Sequence, residues 1–234
     1  MATVLRLPTA DPDAAQVPDG PAPAPGGDRL AVDDWGRDEQ LIRSILPLVR
    51  LRWQVSVGGD HHLPLEGGAL LVTNLRRFSL SPIYVALALG STTGRPVRFV
   101  GRPDTAPVGA ALRRIGGLLA DPDELAGALR HGELVVMAAS ATGHPRHAGV
   151  VDHSMVGAAV LAGVPVHPVA SMSSSFGRVA RALVAPALRP RRQRRGPLAE
   201  VELADLARRQ LQRMLDELGG SRTGLPAIDR WGDS

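Results

Sequence analysis

Apolar positions along this chain recur with two different periods, and their alternation predicts an α/β protein. A first helix is predicted from Leu41 to Val49, where an acidic start favours the positive end of the helix dipole and Pro47 is expected to bend or end the helix. Further helices are predicted at residues 83–89, 107–115, 122–131, 155–161 and 198–218, and strands at residues 52–57, 68–74, 95–102, 133–137, 162–170 and 179–188.

The two ends of the chain lack this periodicity. Residues 1–28 are rich in Pro, Ala, Asp and Gly, a composition that buries too little apolar surface to offset the loss of chain entropy. We therefore expect a disordered tail at residues 1–28, one domain at residues 29–220 and a second tail at residues 221–234. A chain of 234 residues is long enough to bury a full core.

Composition narrows the range of functions. The sequence has no Lys, so all 27 basic residues are Arg, which indicates a high-GC genome rather than a set of selected ligands. The net charge of +4 gives a weak attraction to acidic partners such as anionic lipid, phosphate groups or acyl carrier protein. The absence of Cys excludes disulfides, thiol nucleophiles and Cys-ligated metals. Since no signal peptide and no apolar stretch of about 20 residues is visible, we expect a cytoplasmic protein, with peripheral contact at the inner face of the membrane as an alternative.

The most informative segment is residues 68–82, where an apolar strand ends at Asn74 and a helix begins near Ser81 after a short basic loop. Ligand sites of α/β folds lie at such strand ends. The segment resembles the first signature block of the glycerolipid acyltransferase superfamily, the family of 1-acylglycerol-3-phosphate acyltransferase. In that family the strand ends in N-H-x-x-x-x-D, in which the His takes the proton of the acceptor hydroxyl and the Asp orients the His. Asn74 matches, but Leu75 stands at the His position and Leu80 at the Asp position.

Two further blocks extend the resemblance. The family's F-P-E-G-T-R block corresponds to residues 137–142, where Ala139, Ser140 and Thr142 replace the Glu, Gly and Arg that help to bind the acceptor. The last block is preserved at residues 162–170, with its Gly and both prolines in place. The resemblance covers about residues 33–190 and implies a single α/β domain with a mixed central sheet flanked by helices.

The resemblance also implies where substrate would bind. A second-block Arg of the family is thought to meet the acceptor phosphate, and an Arg fork matches phosphate geometry, although a surface role is the commoner one in a chain whose only strong base is Arg. Ser140 and Thr142 are further binding candidates because they lie in the segment that corresponds to the F-P-E-G-T-R block. The candidate arginines are Arg76, Arg77, Arg102, Arg113 and Arg114.

The histidines are the remaining candidates for chemistry. His144, His147 and His153 lie in one Pro- and Gly-containing segment, and one of them could replace the missing base. His144 and His147 are the candidate substitute bases, with a solvated polar loop as the alternative interpretation. His61 and His62 are adjacent, which is poor spacing for two ligands of one metal. His167 is expected to be a core histidine. We predict no metal site and no cofactor, and Ser140 lacks the G-x-S-x-G elbow of a serine nucleophile.

The first functional hypothesis is a catalytically impaired acyltransferase-like protein that binds lipid, an acyl chain or a partner. Leu cannot accept a proton, and we expect a buried Leu75–Leu80 pair where a polar pair is required. Loss of a general base alone lowers a rate by about 10²–10⁴. The second hypothesis is an active acyltransferase that moves an acyl group from acyl-CoA or acyl carrier protein to a lysophospholipid-type acceptor with a non-standard base.

A third hypothesis is an interaction module built on the Arg cluster at residues 189–195. Nucleic acid is disfavoured because no aromatic residues interleave with these arginines. The cluster instead allows contact with anionic phospholipid, with a solvated linker as its other interpretation. The first helix allows the same contact through Arg43, Arg50 and Arg52, with packing against the core as the other interpretation of that segment. The oligomeric state stays open.

Overall fold

The computed structural model of this chain describes residues 32–76, 79–144, 146–173, 179–188 and 196–220. Its strands are β1 (Gln54–Gly58), β2 (Ala69–Thr73), β3 (Val97–Val100), β4 (Gly117–Leu118), β5 (Leu134–Ala138), β6 (Val166–Ser173) and β7 (Val179–Val184). Its α-helices are α1 (Glu39–Arg52), α2 (Ser81–Thr93), α3 (Val108–Arg114), α4 (Pro122–Arg130), α5 (His153–Ala162) and α6 (Pro197–Gly220). The tails expected at residues 1–28 and 221–234 and the Arg cluster at residues 189–195 lie outside the described residues.

The strands form one seven-stranded sheet in the order β1-β7-β6-β2-β5-β3-β4. The central strand β2 pairs in parallel with both β5 and β6, and β3 pairs in parallel with β5 and β4. The sheet is mixed because β6 and β7 are antiparallel. The expected single α/β domain with a mixed sheet flanked by helices is therefore confirmed. Because they run in the same direction, β2, β3, β4 and β5 all have their carboxyl ends along the same side of the sheet.

The two faces of the sheet carry two separate cores. Successive side chains of a strand point to opposite faces, so Leu71 and Val72 of β2 belong to different clusters. Val72 packs with helices α4, α5 and α6, and Leu71 packs with α2, whose Tyr84 is buried. Strand β2 is fully buried as a result, which explains its continuous run of apolar residues.

Three predictions about the elements are wrong in detail. Helix α1 continues past the exposed Pro47 to Arg52, so Pro47 does not end it, and a bend at this residue stays a prediction. Helix α2 continues past Gly90 and stops at Gly94, whose φ of +69° supplies the left-handed cap. Gly117, which was expected together with Gly116 to close the helix at residues 107–115, instead pairs with β3, and with Leu118 it forms the short edge strand β4. Two residues carry too little periodicity to indicate a strand.

Across the described residues, none of the helices combines the length and the apolar character needed to cross a bilayer.

Candidate functional site

Asn74 holds the end of β2 against β6. Its side-chain Oδ1 accepts a hydrogen bond from the backbone N–H of Ser171 at 2.7 Å, and its Nδ2 donates to the Ser171 carbonyl at 2.9 Å. Its own carbonyl accepts from the hydroxyl of Ser81, the first residue of α2. Asn74 thus joins two strands and a helix at the sheet edge where the parallel strands end.

A cavity of about 760 Å³ opens beside this junction. It lies at the carboxyl ends of the parallel strands, between the first turns of α2 and α5, where α/β folds place their ligands. Its walls are mostly apolar: the described lining residues are Leu75, Ser79, Leu80, Pro82, Ile83, Phe99, Val100, Gly101, Leu112, Ala120, Met137, Ala138, Ala139, Ser140, Ala141, Val150, Val151, Asp152, His153 and Met155.

Leu75 and Leu80 both line this cavity. The expectation that they form a buried pair is wrong, because Leu75 is half-buried and Leu80 is 52% exposed. Leu80 precedes the first residue of α2, where the chain is still at the surface. The two positions nevertheless share one cavity, and neither offers a proton acceptor to a molecule bound there.

The loop after β5 forms another wall. The Ser140 hydroxyl accepts a hydrogen bond from Val150 N–H at 2.8 Å, and Ser140 N–H donates to the Val150 carbonyl at 2.8 Å. Thr142 N–H donates to the Leu75 carbonyl at 2.9 Å, which ties the loop to the end of β2. The Thr142 hydroxyl is turned toward the carbonyls of its own loop. Ser140 therefore lines the cavity, whereas Thr142 connects the loop to the end of β2.

The imidazole that lines the cavity is His153, the first residue of α5. His144 and His147, the residues that the sequence favours as substitute bases, are exposed, stack on each other with ring centres 4.7 Å apart, and are absent from the described cavity wall. The carbonyls of both accept bonds from the Thr142 hydroxyl. The sequence places His153 in the same group as His144 and His147 but does not single it out, because its position in the cavity depends on where α5 begins.

Asp152 caps α5 beside His153 and also lines the cavity. Its carboxylate accepts from the Ser154 hydroxyl at 2.7 Å and from the Ser154 N–H at 2.9 Å. The Ser154 hydroxyl, and after it the backbone N–H groups of the first turn of the helix, hold the pKa of Asp152 below its usual value of 3.8, against the effect of partial burial. Asp152 is therefore a carboxylate at neutral pH. The order Asp-His-Ser before an apolar run was the sequence signal for this cap.

The candidate phosphate-binding arginines are spread around the site. Arg102 lies 3.3 Å from a carboxylate oxygen of Glu124, and the Arg113 Nε donates to the Trp35 carbonyl at 3.2 Å. Arg114 donates to the Asp38 carboxylate at 2.6 Å. These three side chains bind other parts of the protein and do not belong to the described cavity wall. A phosphate-binding role for any of them stays a prediction.

Arg76 lies closer to the site but in a different place. It lines a much smaller cavity, which it shares with Asn74, Ser81 and Ser171. Among the described lining residues, Ser79 alone is common to the two cavities. A backbone bridge also pairs Arg76 with Thr142. The neighbouring Arg77 lies outside the described residues, and its role as a ligand also stays a prediction.

His167 is buried in β6, as expected of a core histidine. Its Nδ1 lies 3.0 Å from the Ala185 carbonyl, and its Nε2 has no hydrogen-bond partner. Burial lowers the pKa of His167 below 6.5, and the charge of nearby His62 lowers it further, while the bond to Ala185 acts in the opposite direction. Among the residues that the structure describes, no group of three His, Asp or Glu side chains is placed to hold a metal ion.

The fold is that of a solved acyltransferase. The chain matches the crystal structure of the 1-acyl-sn-glycerophosphate (LPA) acyltransferase PlsC from Thermotoga maritima with a TM-score of 0.57, over 78% of this chain and 83% of that one. The two sequences are 19% identical, so the likeness establishes a shared fold. No protein-family model and no curated protein matches the sequence.

Proposed function

We propose that this chain binds an acyl chain or an acyl-bearing lipid in the cavity beside Leu75 and Leu80, without deprotonating an acceptor hydroxyl. One observation carries the proposal: the two positions where the resemblance expects a base and its orienting acid line the cavity as leucines. A hydrocarbon side chain has no lone pair to take a proton, and loss of a general base lowers a rate by about 10²–10⁴. The fold neighbour's name, an acyltransferase, supports an acyl-bearing ligand.

The walls of the cavity fit such a ligand. Aliphatic and aromatic side chains such as Phe99, Leu112 and Met137 surround it, and each CH₂ group that leaves water is worth about 0.8 kcal/mol. Of the few polar lining residues, Ser140, Asp152 and His153 are exposed and Ser79 is half-buried. An acyl chain would therefore bury its methylenes against the walls with its polar end toward solvent.

The binding test uses a tryptophan that fills the cavity. Ala120 lines the cavity and is exposed, so Ala120→Trp is expected to obstruct it without disturbing the core, and Ala110→Trp, at an exposed position outside the cavity wall, is the matched control. Titration with a lauroyl lipid is expected to give binding by the wild type and the control, with at least a tenfold loss for Ala120→Trp. Equal binding by Ala120→Trp and Ala110→Trp would mean that the ligand binds outside this cavity.

The activity test uses acyl-CoA with a panel of lysophospholipid acceptors and a colorimetric thiol reagent. The chain has no Cys, so the protein adds no background. We expect no acceptor-dependent thiol release by the wild type. Leu75→His combined with Leu80→Asp restores both groups on the cavity wall, and turnover that appears only in this double variant would support the two leucines as the reason for impairment. Turnover by the wild type would contradict the proposal.

An active acyltransferase is the second candidate, favoured by one observation: His153 lines the cavity. In this version His153 takes the proton of the acceptor, and the acyl donor is acyl-CoA or acyl carrier protein. If the wild type turns over, His153→Gln should abolish activity while His144→Gln and His147→Gln retain it. The opposite pattern would favour the two loop histidines that the sequence indicates.

We also propose that α1 makes peripheral contact with an anionic membrane surface. Ile42 is its one buried residue, whereas Leu48 and Leu51 are 67% and 60% exposed on the other side of the helix. Arg43 and Arg50, seven residues apart, are exposed along one flank of the helix, and each basic residue near an anionic surface contributes about 1 kcal/mol.

Vesicle sedimentation tests this contact. Phosphatidylglycerol-containing vesicles are expected to retain the wild type and to lose the variant with Leu48→Ser and Leu51→Ser. Leu161→Ser on α5, which is 68% exposed, is the control and should bind like the wild type. Equal retention of all three proteins would contradict the role of α1.

A further inference from the structure

The ionisable groups on the cavity wall are few and lie together. Of the described lining residues, only Asp152 and His153 carry a titratable side chain, and both are exposed at the first turn of α5. Arginine is absent from the described part of the wall. Among the described residues, the end of the cavity that a polar head group would occupy therefore carries one fixed negative charge, that of Asp152.

Three of the candidate arginines lie off the described cavity wall and do not offset this charge there. Arg102 is held by the Glu124 carboxylate, and Arg76 belongs to the separate small cavity beside Asn74. Arg114 pairs with Asp38 at the start of α1. A phosphate placed in the large cavity would meet none of these three guanidinium groups on its wall.

Asp152 also occupies the place where an anionic ligand would otherwise be favoured. The positive end of the α5 dipole and its free N–H groups attract anions, but the Asp152 carboxylate already accepts the Ser154 N–H. The hydroxyl of Ser154 donates to the same oxygen and helps to keep the carboxylate ionised. An incoming phosphate would therefore encounter a carboxylate at the cavity opening instead of a free helix terminus.

We propose that the cavity selects an acyl lipid whose head group carries no phosphate, such as a neutral monoacylglycerol, and that Asp152 sets this selectivity. The inference rests on the proposed binding of an acyl ligand in the same cavity. It separates this chain from its fold neighbour, whose name specifies a glycerophosphate. The physical reason is that a phosphomonoester dianion is repelled by Asp152 and finds no cation on the described wall to compensate.

The test compares two ligands that differ in the phosphate alone. Monolauroylglycerol and lauroyl lysophosphatidic acid are titrated below their critical micelle concentrations by isothermal calorimetry. We expect the wild type to bind the neutral lipid about tenfold more tightly at low salt, and the difference to shrink as salt screens the repulsion. Equal affinities, or tighter binding of the phosphate lipid, would overturn the selectivity.

A pair of variants isolates the charge of Asp152. Asp152→Asn keeps a good helix cap and removes the charge, so the tenfold difference should fall to about threefold or less. Asp121→Asn makes the same change at the cap of α4, which is exposed and outside the cavity wall, and should leave the difference unchanged. An unchanged difference in Asp152→Asn would overturn the role of Asp152.

Two further outcomes are distinguishable. If the phosphate lipid binds more tightly and Arg76→Ala abolishes that preference, the phosphate lies on Arg76 and the inference is wrong while the binding function stands. If neither lipid binds the wild type, the proposed function itself fails, and the selectivity falls with it.

Discussion

Asn74 and Ser171 are joined by two reciprocal hydrogen bonds, in which the amide of the Asn74 side chain pairs with the backbone N–H and C=O of Ser171. The parallel pairing of β2 with β6 runs as far as Thr73 and Val169. The side-chain amide thus continues the ladder after the backbone of β2 has turned away. Asn74, the residue that matches the first signature block, therefore secures the end of β2 and the geometry of the cavity beside it.

Replacing Asn74 tests this role. Asn74→Ala leaves the buried N–H and C=O of Ser171 without partners, and we expect the free energy of unfolding to fall by about 2–4 kcal/mol. Ser171→Ala is the control, because it removes the hydroxyl, with its bonds to Asn74 and Thr73, and keeps both backbone bonds, and it should cost less, about 1–2 kcal/mol. Urea denaturation measures both. Equal losses would contradict the backbone bridge as the main contribution.

Gly149 is predicted to be essential for the cavity wall. A Cβ added at Gly149 would lie 1.8 Å from the Ser140 carbonyl oxygen. Gly149→Ala must therefore push apart the two loop segments, around Ser140 and around Val150, that line the cavity. We expect a stability loss of about 1–3 kcal/mol and weaker binding of a lauroyl lipid.

Gly143 provides the matched control, because it lies in the same loop with nothing within 4 Å of an added Cβ. Gly143→Ala should bind lipid and unfold like the wild type. Loss of binding in both variants would mean that the loop tolerates no change of any kind, and the steric argument would fail.

Arg98 is predicted to be a structural ion-pair centre. Its side chain is fully buried in β3, and its Nη2 reaches carboxylate oxygens of Asp33 and Glu133. Arg98→Met should lower the free energy of unfolding by about 3–5 kcal/mol, because the Glu133 carboxylate stays largely buried without its partner. Adding Glu133→Gln removes that unpaired charge and should recover part of the loss. Thermal or urea unfolding of the single and double variants decides whether the two sites are coupled.

The stability of the protein is predicted to fall below about pH 6.5 because of His167. Burial lowers its pKa in the folded state, so the unfolded chain takes up the proton first as the pH falls through 6.5. Stability that is present above this pH is therefore lost on acidification, with a slope of up to about 1.4 kcal/mol per pH unit for one proton. Unfolding free energies measured between pH 5 and about pH 8 check the slope.

The variant His167→Gln should flatten this dependence, since it removes the buried titrating group. His61→Gln, at an exposed position, should keep the slope of the wild type. A slope that survives in His167→Gln would assign the acid sensitivity to another group. His62, whose charge acts on His167, would be the first imidazole to replace next.

Much of the fold follows from local pattern. The apolar run of β2, the cap at Asp121 with Pro122 behind it, and the start of α2 at Ser81 all lie where the sequence predicts them. Each of these signals depends on residues within a few positions of one another. The end of α2 was misplaced because a glycine stops a helix by adopting a positive φ, and the sequence alone does not show whether Gly90 or Gly94 does so.

By itself, the sequence determined the succession along the chain of the six described α-helices and of every described strand except β4, the absence of Lys and Cys, and the leucines at positions 75 and 80. Only the tertiary structure decided that Leu75, Leu80, Asp152 and His153 share one cavity, because this requires the ends of β2 and β5 and the starts of α2 and α5 to meet at one edge of the sheet. Contacts between residues more than 70 positions apart are set by strand order and register, and local periodicity carries no information about either.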